Sequence, residues 1–175
     1  MKIRLFAATA CLMLLSFAGK AQNLKIGYVQ VEKIFAEWPE TKTSNTELQE
    51  YETQLNSRLQ AKVKDFQTKV ANYNENAENM DPVTRQDTET ELQNLQSQIQ
   101  QFEANAQQSI AQKNQALLTP LQKKLKETID QVAKENGYTH ILTYGTALVY
   151  TSDTSSDISA KVAQKLGFSL SADTQ

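Results

Sequence analysis

The sequence is poor in the residues that chemistry most often needs. It has one cysteine, one histidine and five glycines in 175 residues. The cysteine, Cys11, falls in an N-terminal stretch that reads as a secretory signal. Lys2 and Arg4 form its positive start, Leu5 to Phe17 its apolar run, and Gly19-Lys20-Ala21 the small residues before Gln22. Cleavage is expected between Ala21 and Gln22. The apolar run is shorter than the roughly 20 residues a spanning helix requires, and Ala8-Thr9-Ala10 is a poor and early lipobox for Cys11.

Cleavage would leave a chain without disulfides or a thiol nucleophile, stabilised by burial alone. His140, in a strand-like context, is expected to be structural. Without a second histidine or a cysteine, a zinc or redox site lacks its usual ligands. The glycines never cluster, so no phosphate-binding loop is present. No catalytic, cofactor or metal site is expected, and the chain does not read as an enzyme. Positive charge is also scarce. Loss of Lys2, Arg4 and Lys20 leaves 15 Lys+Arg against 20 Asp+Glu, a formal charge of −5. That balance weighs against nucleic acid as a partner, since phosphate contacts need clustered basic residues.

The missing glycines have a positive counterpart. From Tyr28 to Asn136 there is none, and apolar residues recur there at helical spacing. Leu48, Tyr51, Leu55, Leu59, Val63, Phe66, Val70 and Tyr73 step by three or four, one extra four breaking the strict heptad. Pro39 suits a first helical position. A polar stretch from Asn72 to Asp81, followed by Pro82, signals a turn. The return carries Leu92, Leu95, Ile99, Phe102, Ala106 and Ile110, then Leu117 or Leu118, Leu121, Leu125, Ile129 and Val132. An antiparallel coiled-coil hairpin over residues 39–136, with its tip near 74–84, is the expectation. Each arm would be on the order of 60 Å long. Pro120 lies inside the return pattern and predicts a kink or flexible joint, or else a break between two helices.

On either side of the hairpin the pattern changes to strands. Lys25 to Val31 reads as a first strand, covering Ile26, Tyr28, Val29 and Val31, and residues 32–38 could add a helical turn. Asn136-Gly137 signals a helix C-cap. Tyr138 to Tyr144, with Ile141 and Leu142, and Ala147 to Tyr150, with Leu148, Val149 and Tyr150, read as two more strands joined through Gly145-Thr146. Ile158, Val162 and Leu166 mark a short final helix. The fold class is thus α+β: a small β-sheet body in residues 22–38 and 137–170, carrying a long helical hairpin.

Three stretches resemble the OmpH/Skp family of periplasmic chaperones: Lys25 to Phe35 (KIGYVQVEKIF), Leu121 to Leu142 (LQKKLKETIDQVAKENGYTHIL) and Ala147 to Leu166 (ALVYTSDTSSDISAKVAQKL). The resemblance implies a periplasmic homotrimer in which strands from three subunits close a small barrel. The hairpins then hang as tentacles around a cavity that holds unfolded outer-membrane β-barrel proteins without ATP. A protomer with about three short strands fits this, because such a sheet leaves open edges. One feature departs from the family, whose members are often basic. Residues 40–135 carry 11 Lys+Arg and 15 Asp+Glu, and Asn72 to Glu91 has six acids against Arg85. No lipopolysaccharide or membrane contact is therefore carried over. An alternative reading is a coiled-coil structural or adaptor protein of the envelope.

Overall fold

The computed structural model describes residues 24–171, so the expected cleavage point at Ala21 and Gln22 lies outside the described residues. Strand β1 spans Ile26–Val29 and helix α1 Val31–Glu37. Helix α2, Pro39–Asn76, ends in a 3-10 turn, Ala77–Asn79. Helix α3, Pro82–Glu135, then returns to β2, His140–Thr143. A 3-10 turn at Thr154–Ser156 precedes the last helix, α4, Ser159–Lys165.

The two arm helices start and stop for local reasons. Pro39 and Pro82 each occupy a first turn, where the missing N–H has no helical acceptor to lose. Asp81 caps α3 by accepting from the amides of Val83 and Thr84 at 3.0 and 3.1 Å. The Thr84 hydroxyl and these amides hold the Asp81 carboxyl below its ordinary value. At the far end Gly137, with φ of +68°, closes α3. Its N–H reaches Lys134 O and that of Tyr138 reaches Ala133 O, the paired bonds of a Schellman motif.

The arms pack along a single seam. Every stripe residue named above is at least half-buried, whereas the residues between them are mostly exposed. Beyond the root only Leu55 is buried in α2. The hairpin is therefore a two-helix ribbon with no wide core.

The body is more helical than its sequence pattern suggests. Among the described residues its sheet has two strands, β1 and β2, paired in parallel with Ile26 opposite His140 and Val29 opposite Thr143. The whole hairpin is the crossover between them. Gly27 lies in this ladder because a Cβ there would sit 2.7 Å from the Tyr138 ring. Over the sheet is a core of Val29, Ile34, Trp38, Leu121, Leu125, Val132, Ile158, Val162 and Leu166. It is drawn from one strand, both roots of the hairpin, and helices α1 and α4.

Two strand expectations are corrected. Val31 is not in a strand; it is the first residue of α1. The Gln30 N–H is taken by Ser159 Oγ at 2.8 Å, which ends the ladder, and Gln30 O accepts from Ile34 N to open the helix. Helical spacing then buries Ile34 and Trp38 together, four residues apart. Leu148, Val149 and Tyr150 likewise form no strand in the chain. Gly145 turns with φ of +83°, and the N–H groups of Ala147 and Leu148 both bond Thr143 O. This tight turn leaves one isolated bridge, Tyr144 to Leu148, and no ladder beyond it.

Candidate functional site

Two surfaces stand out: the open side of the small sheet and the flanks of the arms. β1 is covered on both sides. β2 pairs on one, and on the other Ile158 N bonds Tyr28 O at 2.9 Å beside a Tyr28–Asp157 bridge. Gln30 Nε2 donates to Asp157 Oδ2 and the Ser159 amide to Asp157 Oδ1, which locks that segment in place. β2 has only β1 as a ladder partner among the described residues.

Large apolar side chains are exposed around this sheet. Leu24 and Ile26 lie at the start of β1, and Tyr144 follows β2 with its ring centroid 5.7 Å from that of Tyr28. Val149 and Tyr150 are the most exposed, at 83% and 78%. Of the strand residues expected from sequence, Ile26, Tyr28, Val29, Ile141 and Leu142 lie in the ladder. Tyr28 and Val29 are buried, Ile141 and Leu142 half-buried, and Ile26 exposed. Leu148, Val149 and Tyr150 stand outside it: Leu148 is half-buried with its N–H and C=O both bonded in the turn, whereas the apolar side chains of Val149 and Tyr150 face solvent.

The root of the hairpin is built around a residue that sequence reading treated only as the end of a helical turn. Trp38 is fully buried between α1 and α2, extended at ψ of 123° because Pro39 disfavours helical geometry before it. Its ring meets Phe35 at 6.1 Å, and Lys124 Nζ from the other arm lies 5.5 Å from its centroid. The same Lys124 pairs with Glu40 at 2.6 Å, so one lysine ties both arms to the body. An aromatic beside a helix-starting Pro was the signal available in the sequence.

Further out, cross-arm pairs set the register. Lys113 meets Glu47, Lys69 meets Glu91, and the Tyr73 hydroxyl donates to Glu89. The Glu91 partner raises the Lys69 pKa, and the Glu89 partner raises that of Tyr73. All are partly exposed, and solvent screening leaves such pairs a small net contribution to stability. They select one alignment of the arms more than they stabilise it. In sequence these carboxylates looked only like solvated charge, since their partners lie up to 66 residues away.

α3 runs without interruption through Pro120, which excludes two separate helices. Pro120 faces solvent, where water can serve the Ala116 carbonyl that loses its amide donor. One residue earlier, Thr119 Oγ1 donates to Gln115 O at 2.7 Å. No helix among the described residues is long and apolar enough to cross a membrane.

This architecture has a counterpart among solved structures. A candidate outer membrane chaperone (OmpH-like) from Caulobacter crescentus CB15 superposes with a TM-score of 0.75, covering 90% of this chain and 96% of its own, at 15% identity. At that identity the likeness establishes the fold. No curated protein gives a significant match. The family model for outer membrane protein (OmpH-like) matches residues 25–166, from the residue before β1 through the last core leucine. With the model spanning body, both arms and α4, the chain belongs to the OmpH-like family.

Proposed function

We propose that this chain is an ATP-independent holdase chaperone of the periplasm, freed from its signal between Ala21 and Gln22. It assembles as a homotrimer and keeps unfolded outer-membrane β-barrel proteins from aggregating between its three hairpins. Family membership and the chaperone assignment of the Caulobacter structure support the general role. The observation that carries the assembly is the open side of the sheet: an edge with Val149 and Tyr150 almost fully exposed beside it. Exposed edges and apolar clusters invite association, and a closed symmetric ring removes them. Three copies of segment 147–150, each paired with a neighbour, would supply the strands that one chain does not form. No lipopolysaccharide or membrane contact is part of this reading.

Holding a client without ATP requires contacts that are weak and numerous. The arms fit that need: their seam residues are half-buried and their flanks polar, so a client meets many shallow contacts summed by confinement. The test joins light scattering to an aggregation assay with a urea-diluted outer-membrane barrel protein. A trimeric mass with suppressed aggregation is expected. A monomer without effect on aggregation would refute the proposal.

The acidic tip favours one second reading, an envelope adaptor. Asn72 to Glu91 holds six acids and one arginine. Pull-downs with and without that tip distinguish the two: one folded partner lost with the tip indicates an adaptor, and a spread of unfolded barrels retained without it indicates a chaperone.

A further inference from the structure

The two arms differ in chemistry although they run side by side. The ion pairs Lys69–Glu91 and Glu47–Lys113 bracket matching spans, residues 47–69 of α2 and 91–113 of α3. The α2 span has eight charged residues and five Gln or Asn. The α3 span has three charged residues and ten Gln or Asn. Two of those three charges, Glu91 and Lys113, are the ones engaged across the seam, which leaves Glu103.

All ten amides are exposed, and none makes a side-chain hydrogen bond to another described residue. They cover the surface of α3 that the seam at Leu92, Leu95, Ile99, Phe102, Ala106 and Ile110 does not use. Each carries both a donor NH2 and an acceptor oxygen. An uncharged surface that can both donate and accept complements one partner above others: the unpaired peptide groups of an extended chain, which are also neutral and of both kinds.

We propose that residues 91–113 of α3 are a client-binding face that hydrogen-bonds the backbone of an extended, unfolded segment irrespective of its charge. The inference rests on the holdase reading and names what the holdase contacts. The lengths agree. The span is about 33 Å long at the helical rise, which matches about ten residues of extended chain. That is the roughly 9–11 residues of one membrane-spanning β-strand. Charged α2 would then keep the arms soluble and in register, and α3 would meet the client. Because every peptide unit offers the same groups, the client can slide along this face without a fixed register.

The experiment uses the full mature chain and an unfolded eight-stranded outer-membrane barrel protein in diluted urea, with binding measured at low and at high salt. Gln100, Gln101, Gln107 and Gln108 are replaced together by Ala, and separately by Asn. Ala is a strong helix former and the seam is untouched, so helicity by circular dichroism is expected to be unchanged. Wild-type affinity should change little with salt, because neutral contacts are not screened. The Ala variant should bind on the order of tenfold more weakly. The Asn variant, which keeps the amides, should bind nearly as wild type. An Ala variant that binds as tightly as wild type, or wild-type binding abolished by salt, overturns this inference and leaves the holdase reading standing. A wild-type chain that binds no unfolded client overturns both.

Discussion

Replacing Trp38 tests how the arms are anchored. The ring is fully buried, and its indole Nε1 finds no acceptor among the described residues. Truncation to Ala should cost about 3–5 kcal/mol, the range for a large aromatic lost from a core. Against a total stability of roughly 5–15 kcal/mol, that is a large share. Trp38→Phe should behave differently. It keeps most of the packing and removes a buried donor that lacks a partner, and an unmet donor costs about 1–3 kcal/mol. The gain offsets part of the lost ring area, so the Phe variant should fall within about 1.5 kcal/mol of wild type. Urea unfolding followed by circular dichroism is the assay, at fixed subunit concentration because association would shift the midpoint. Fluorescence cannot serve, since the chain has a single tryptophan. A Phe variant as damaged as the Ala variant would show that the indole N–H has a partner. An Ala variant within about 1 kcal/mol of wild type would show that the body core is not centred on Trp38.

Three other outcomes follow from the structure. Val149→Asp with Tyr150→Asp should convert the proposed trimer to monomers by light scattering while leaving the helical signal intact, because neither side chain is in the protomer core; a mass equal to that of the wild-type assembly would exclude this segment from the interface. Pro120→Ala should stabilise the exposed helix by on the order of 1–3 kcal/mol in urea unfolding, and stiffer arms should protect a narrower range of client sizes; equal protection of small and large clients would refute a joint at Pro120. The Ser171 amide and hydroxyl both donate to Glu37, and its pKa is lowered, chiefly by the backbone bond. A lowered pKa means the tail contact contributes above the unfolded carboxyl's range and is lost as pH falls through the lower folded value, so the hydrogen-exchange protection factor at residues 168–171, taken against the intrinsic rate at each pH, should fall only in acid, and Glu37→Gln should remove that pH dependence.

The hairpin was legible in the sequence because its determinants are local. Stripe spacing, absent glycine, Pro39 and Pro82 at helix starts and Gly137 at a helix end each act within one or two turns of backbone. Pairings across the molecule were not legible in this way. Lys124 with Glu40, or Ser159 with Gln30, become neighbours only after the arms have closed, and no short window of sequence contains both members. The body shows the same division. Val31 is β-branched and follows a strand, yet it starts a helix because Ser159, 129 residues away from Gln30, captures the amide that would have extended the ladder.

The amino-acid sequence by itself determined a long antiparallel hairpin with a polar surface, since side-chain periodicity and helix caps are short-range. Only the tertiary structure decided that the strands pair in parallel, that Trp38 is the root of both arms, and that Val149 and Tyr150 are left exposed among the described residues. Those outcomes depend on which distant surfaces meet once the hairpin has brought residues 26–29 and 140–143 together, and a side chain's exposure is visible only when its neighbours have been placed.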